Sequence, residues 1–340
     1  MKLATVTLHG QPRVVAQLPD HSIVDVGAVL GDPGIDMHRL IESADDLMPR
    51  LRDRLAGAAV SASEDVTDIC WAPPAPRPSK IVGVALNNAV FQWLSWRKMS
   101  APSFFLKPPS ALIGHQQAVR VQPAWGLTHP EPELAAIIGQ RVSQADPADV
   151  LEAVFGYTII NDITSPGLKS EDSVELVMPE QLPVNEPWRE QRGVDDHSIY
   201  LTYHARSKGA DTFAPMGPWL VTADEITNPN DLGVRGYLGS ELVLEDSTAN
   251  LTFSVEQVLS HLSHTMTLVP GDVVHFGTAA RPTIPERYPT IRSLDITRLQ
   301  EPLSVEIDGI GRLDNPVIST GPTGKNDPAD RSHAYQTPAP

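Results

Sequence analysis

The chain has one cysteine, Cys70, in 340 residues. A lone cysteine excludes an internal disulfide and a cysteine-rich metal site, and it fits a reducing compartment. No run approaches the ~20 apolar residues of a membrane span. The opening Met1-Lys-Leu-Ala-Thr-Val-Thr-Leu-His9 alternates polar and apolar residues as a strand does, without the apolar stretch of a signal peptide. Positive charge is scarce: 26 Lys and Arg stand against 42 Asp and Glu, a net charge of -16. That balance argues against nucleic acid or an anionic membrane as a partner. A Gly-rich phosphate loop, a Ser-His-Asp order and a dinucleotide fingerprint are all missing. A soluble, cytoplasmic protein is expected.

What is present is ample apolar material, 41% of the chain, enough for one large domain or two smaller ones. Residues 1–70 read as short strands, with 22–27 as one candidate, followed by an amphipathic helix over 37–56; together they predict a small N-terminal α+β domain. Residues 71–79 form a stiff proline-rich linker. From Lys80 onward short β-rich runs dominate, at 81–86, 103–106, 134–138, 157–161, 219–221, 273–276 and 303–307. Helices are few. One is predicted over 147–155, with Asp146 as N-cap, Pro147 at the first helical position and Gly156 just past the end. Another is predicted over 255–265, where Ser254 and Gln257 have capping-box spacing. This pattern suggests a mixed-β domain over 80–318 rather than a doubly wound sheet. The tail 319–340, rich in Pro, Thr, Asp and Gly, is expected to be disordered.

The most informative segment is His129-Pro-Glu-Pro-Glu-Leu-Ala-Ala-Ile-Ile-Gly139, followed by Asn161-Asp162. Side chains two apart in extended chain share a face, so Glu131 and Glu133 can converge, and Asp162 ends the next apolar strand. Buried carboxylates repel unless one takes a proton or a cation joins them. All-oxygen ligation suits Mg²⁺, Mn²⁺ or Ca²⁺ better than Zn²⁺. A solvated strand edge would use the same spacing.

This stretch resembles the metal-binding signature of the fumarylacetoacetate hydrolase (FAH) superfamily. So do Lys80-Ile-Val-Gly-Val-Ala-Leu-Asn87, Phe104-Phe-Leu-Lys-Pro-Pro-Ser-Ala-Leu-Ile-Gly114 and Gly156-Tyr-Thr-Ile-Ile-Asn-Asp-Ile-Thr164. The family's order continues through Lys208-Gly-Ala-Asp-Thr-Phe-Ala-Pro-Met-Gly-Pro-Trp-Leu-Val221, Met266-Thr-Leu-Val-Pro-Gly-Asp-Val273, Phe276-Gly-Thr278 and Gly309-Ile-Gly-Arg-Leu-Asp-Asn-Pro-Val317. The resemblance implies an α+β fold with a β-roll catalytic domain that dimerises with a second copy. It implies Glu131, Glu133 and Asp162 as ligands of Mg²⁺ (or Mn²⁺ or Ca²⁺), Lys208 beside the metal, and Thr278 on a substrate carboxylate. The implied substrate is a small 2-oxo or β-diketo acid, as in aromatic-compound catabolism, whose enolate the metal stabilises when a C–C or C–H bond breaks.

The departures from the family pattern matter as much. Phe91 and Leu94 stand where the family's water-activating lid histidine and glutamate belong, and Asn88 replaces a tyrosine. Ser165-Pro-Gly-Leu168 lacks the family's arginine, and Arg281 is a candidate to supply that charge. Phe91, Trp93, Leu94, Trp96 and Met99 would line either a lid over an apolar substrate or a dimer contact. The expected reaction is hydrolytic C–C cleavage with a different base, for which the long insert 169–203 offers Glu171, Glu175, Asp196 and His197. The alternative is decarboxylation, tautomerisation or retro-aldol cleavage through the same enolate; a non-catalytic metal-binding scaffold ranks third. His129 adjoins the acids and could orient a ligand, and His115 also flanks the region, whereas His261 and His264 read as ordinary helix-face residues.

Overall fold

The longest apolar runs become the most deeply buried strands. In the computed structural model, which describes residues 1–8, 10–57, 69–94, 98–177 and 198–320, the strands Pro132–Ile138 and Val154–Asn161 are buried along their whole length. They lie at the middle of a ten-stranded sheet. In chain order its strands are β1 (Lys2–Leu8), β2 (Gln11–Gln17), β3 (Ile23–Asp25), β4 (Cys70–Trp71), β5 (Ile81–Ala85), β6 (Ser103–Lys107), β7 (Pro132–Ile138), β8 (Val154–Asn161), β9 (Leu220–Thr222) and β10 (Val273–Thr278). The spatial order is β3-β2-β1-β9-β8-β7-β10-β5-β6, with β4 also pairing with β1. Neighbours run antiparallel except β10 and β5, which are parallel. The architecture is the expected mixed, sheet-dominated α+β fold.

Period-2 alternation divides the core between the two faces of this sheet. Ala135, Ile137, Ile160, Ile81 and Val273 join one cluster, with Leu3, Leu40 and Leu51 from the N-terminal segment. Leu134, Ala136, Ile138, Ile159, Val274 and Phe276 join the other, against Val255, Val258, Leu259 and Leu262. The N-terminal strands therefore extend the same sheet: Lys2 and Leu3 of β1 pair with Val221 and Leu220 of β9. A second, four-stranded sheet, in the order Glu241–Ser247, Gly233–Leu238, Leu303–Ile307, Gly311–Asn315, packs alongside. Among the described residues, no helix is long and apolar enough to cross a membrane.

Two helix expectations need correction. The helix expected over 37–56 is two helices, Met37–Glu42 and Ala44–Gly57. They break at Ser43, whose φ of -110° and ψ of 28° end the first helix. The helix expected over 147–155 shrinks to a 3₁₀ turn, Val150–Ala153. Val154 and Phe155 are drawn into β8 instead, where Val154 pairs with Ile138. Sheet pairing and burial outweigh a good local helix start. The insert starts within helix Pro166–Glu171 and then forms an antiparallel hairpin from Ser173–Val177 and Ser198–Thr202. Asp196, His197, Trp96 and the tail from 321 lie outside the described residues.

Helix Val255–Ser263 carries the expected capping box: Gln257 N donates to Ser254 Oγ at 3.4 Å, and Ser254 N donates to Gln257 Oε1 at 2.9 Å. Ser254→Ala removes one of these bonds while keeping the buried face. It should lower the unfolding free energy by about 1 kcal/mol, measured by urea denaturation.

Candidate functional site

Strand register brings the site residues together. Glu133 sits near the start of β7, opposite Ile160 of β8 and Thr278 of β10. His275 of β10 is opposite Ala135 on one side and Gly83 of β5 on the other. Gly83 is in turn opposite Phe105, and Ile81 is opposite Lys107, both on β6. Alternation then places Glu133, His275, Gly83, Phe105 and Lys107 on the sheet face shared with Ala135 and Ile137. Gly83 has to be glycine: a Cβ there would come within 2.3 Å of Phe105 Cζ and 2.5 Å of His275 Cε1.

Asp162 leaves the end of β8 on the same face and is tied back by its N–H to Glu131 O at 2.8 Å. Each of its carboxylate oxygens meets a lysine. Lys107 Nζ lies 2.5 Å from Oδ1 and Lys208 Nζ lies 2.5 Å from Oδ2. Lys208 also reaches Glu131 Oε2 at 2.9 Å and stands 4.7 Å from the centre of the Phe105 ring. It projects from helix Ala205–Gly209, which is anchored where Ser165 N donates to Ser207 O at 2.9 Å. Glu133 Oε2 accepts from Gly277 N at 2.7 Å and meets His275 Nδ1 at 2.6 Å.

The charges are buried, so their protonation follows their neighbours. Burial works to raise the Asp162 carboxyl, but Lys107 and Lys208 reverse this and hold it below the usual carboxylate range. Burial works to lower Lys208, but Asp162 and Glu131 more than offset it and keep the ammonium charged. Burial pushes Lys107 down, with Asp162 opposing. Glu133 is pushed up by burial, with Asp162 and Glu131 adding to the effect and His275 opposing it. Burial also pushes His129 down, and its Nδ1 stands 3.8 Å from Glu131 Oε1.

These residues fit a hard divalent cation. Three carboxylates converge against two lysines, which leaves one excess negative charge if all are ionised. The elevated Glu133 is where an added positive charge would relieve most repulsion. Glu133, Asp162 and His275 bring ligand atoms within 4.8 Å of one another. His275 Nδ1 is already engaged with Glu133 Oε2, so Glu133 Oε1 is the oxygen left to face an ion.

Other candidates fall elsewhere. Thr278 is buried, and its hydroxyl donates to Ala279 O at 2.8 Å. Asn88 Nδ2 is held by Asp246 Oδ2 and Thr278 O, each at 2.9 Å. Phe91 packs against the cluster containing Ile113, Phe213 and Leu244. Arg281 is turned to Asp246 Oδ1 at 3.4 Å rather than to the acids. Trp93 lies in the 3₁₀ segment Ala89–Leu94, and its side chain is outside the described set. Glu171 pairs with Arg206 and Glu175 is exposed on the hairpin. His115 packs edge-on against Trp71, and His261 stacks on Phe104. Sequence reasoning missed Lys107 and His275. The signal was a polar residue inside an apolar strand, Phe-Phe-Leu-Lys and Val-Val-His-Phe, at a core-facing position.

The fumarylacetoacetate (FAA) hydrolase C-terminal family matches residues 80–318. The oxaloacetate tautomerase fahd2 of Xenopus laevis is 25% identical over 317 residues, 90% of this chain and 86% of that protein. The 4-hydroxyphenylacetate degradation bifunctional isomerase/decarboxylase of Salmonella dublin is 28% identical over 66% of this chain and 43% of its own length. Among solved structures, maleylpyruvate hydrolase from Sphingobium sp. SYK-6, in complex with manganese(II) ion and pyruvate, superposes with a TM-score of 0.68. It is 24% identical and covers 94% of this chain and 100% of that one. The chain is thus an enzyme with a mixed-sheet α+β fold. It belongs to the fumarylacetoacetate hydrolase family.

Lys107→Met would leave Asp162 buried with only one partner. In EDTA at pH 7 it should cost about 3–5 kcal/mol of stability. The wild-type Asp162 has a depressed pKa, so its stabilising contribution is complete above the ordinary carboxylate value of about 3.9 and is lost as pH falls through its lower folded value. In the variant Asp162 can take up a proton more readily. The gap between the two proteins in urea denaturation should therefore narrow as pH drops below about 4.

Proposed function

We propose that this enzyme is a divalent-metal-dependent hydrolase that cleaves a C–C bond in a 2-oxo or β-diketo acid of the acylpyruvate or fumarylacetoacetate kind, formed in aromatic-compound breakdown. The observation that carries this reading is the convergence of Glu133 and Asp162 at one end of the sheet, with Glu131 joined to Asp162 through the buried, charged Lys208. Glu131, Glu133 and Asp162 would hold Mg²⁺, Mn²⁺ or Ca²⁺. When bound, the cation supplies Lewis-acid polarisation of the substrate's 2-oxo and carboxylate oxygens. Lys208, held protonated by Asp162 and Glu131, is a cation rather than a base, and it stabilises negative charge developing on the substrate. Lys107 fixes Asp162 from below. On the family resemblance Thr278 would meet a substrate carboxylate, and its register opposite Glu133 supports that role. The manganese and pyruvate of the maleylpyruvate hydrolase neighbour support this choice. A cytoplasmic homodimer completes the reading, on the family resemblance and the free Cys70.

A second reading is decarboxylation or tautomerisation through the same enolate. Phe91 packed into an apolar cluster and Asn88 locked to Asp246 favour it, because neither position offers a proton acceptor. The tautomerase and the isomerase/decarboxylase among the relatives support it as well.

The test is an assay on an acylpyruvate and on oxaloacetate, with Mg²⁺, Mn²⁺ or EDTA and products identified by NMR. The first reading expects pyruvate and a free acid from the acylpyruvate, abolished by EDTA. Glu133→Gln and Asp162→Asn should each lower turnover by on the order of 100-fold or more. Turnover of oxaloacetate alone would favour the second reading, and full activity in EDTA would sink both.

A further inference from the structure

Both readings require a proton to move at substrate carbon C3, and most buried groups at the site are committed to other work. Lys208 is held as an ammonium by Asp162 and Glu131. Lys107 is sealed behind Asp162, with no exposed side-chain surface. His275 Nδ1 is taken by Glu133. Among the described residues, two buried side-chain polar atoms have no hydrogen-bond partner: His275 Nε2 and His204 Nδ1. The first lies in the space that a side chain at Gly83 would fill, 2.6 Å from an added Cβ and packed beside the Phe105 ring. His204 Nδ1 is left.

His204 stands at the same wall as the acids. Its ring centre is 6.1 Å from that of Phe105, whose ring also contacts Lys208 Nζ at 4.7 Å and His275 at 5.6 Å. Its backbone opens helix Ala205–Gly209, and His204 O accepts from Lys208 N at 3.0 Å. One short helix therefore sets both the site's cation and this imidazole, and the Ser165–Ser207 bond ties that helix to the segment following Asp162. The charged groups acting on His204 are Lys169 of helix Pro166–Glu171, Lys208 of its own helix, and Asp162 and Glu131. Burial comes first and, with Lys169 and Lys208, pushes the imidazole below its ordinary value, while the two acids oppose this. The ring is therefore a free base at neutral pH.

We infer that His204 is the proton-transferring residue of this site, standing in for the histidine that Phe91 replaces. The inference builds on the enolate chemistry proposed above. In hydrolysis, Nδ1 takes a proton from water as the water oxygen bonds to the distal carbonyl carbon. The bond from that carbon to C3 then breaks, its electron pair stays on C3 as the pyruvate enolate, and the proton on Nδ1 passes to C3. The products are a carboxylic acid and pyruvate. In tautomerisation, Nδ1 removes a C3 proton from the keto form and passes it to the C2 oxygen, giving the enol, and the reverse sequence returns it to C3.

The last step can be isolated as exchange of pyruvate methyl protons for deuterium in D₂O with Mg²⁺, followed by NMR. Wild type should exchange. His204→Ala and His204→Asn should each lose on the order of 10²–10⁴-fold, with Mg²⁺ affinity and urea denaturation unchanged. Asparagine keeps a polar atom near the Nδ1 position but cannot take a proton, so it separates proton transfer from packing. Added imidazole should restore part of the rate to the alanine variant. The wild-type rate should fall off only below the ordinary histidine value of about 6.5, and this acid limb should vanish in His204→Asn. Exchange in either variant within a few-fold of wild type overturns the inference, as does a wild type that exchanges no protons. Exchange that depends on His204 alongside no acylpyruvate hydrolysis would support the inference and overturn the hydrolase reading alone.

Discussion

Lys107 and Asp162 form a fully buried ion pair, and the site is assembled around it. Taking either charge out of water alone would cost several kcal/mol, so neither position tolerates the other's absence. Asp162 has a second oxygen to satisfy, and Lys208 satisfies it while also binding Glu131. Three segments far apart in the chain, at 107, 162 and 208, are thereby locked to one carboxylate. The pair gives rigidity, and a carboxylate held from two sides has a fixed orientation.

The sheet supplies the second constraint. Antiparallel register places Glu133 beside Thr278, and parallel register places His275 beside Gly83. The missing side chain at Gly83 makes room for the rings of Phe105 and His275, and Phe105 in turn forms the wall shared by Lys208 and His204. Glu133 is held through one carboxylate oxygen by a backbone N–H and an imidazole. Small, glycine-specific packing thus passes directly into site geometry. Asn88 pins the Thr278 backbone, and Phe91 fills an apolar cluster.

Much of this was legible in the sequence. The apolar runs at 134–138, 157–161 and 303–307 became strands with close boundaries, and the Ser254–Gln257 capping box formed as its spacing implied. Two-residue spacing, a local property of extended chain, suggested that Glu131 and Glu133 can converge, and only the family resemblance joined Asp162 to them. The helix expected at 147–155 failed because its last residues had a better use in β8.

The sequence by itself determined which segments extend, which acids share a face, and that the usual lid histidine and glutamate are replaced. Tertiary structure alone decided that Lys107 meets Asp162, that His275 meets Glu133, and that His204 packs beside Phe105. The reason is physical. Periodicity says which way a side chain points within its own strand, but register between distant strands arises only from the mutual fit of whole faces. A buried charge finds its partner through that fit, and nothing in the neighbouring residues announces it.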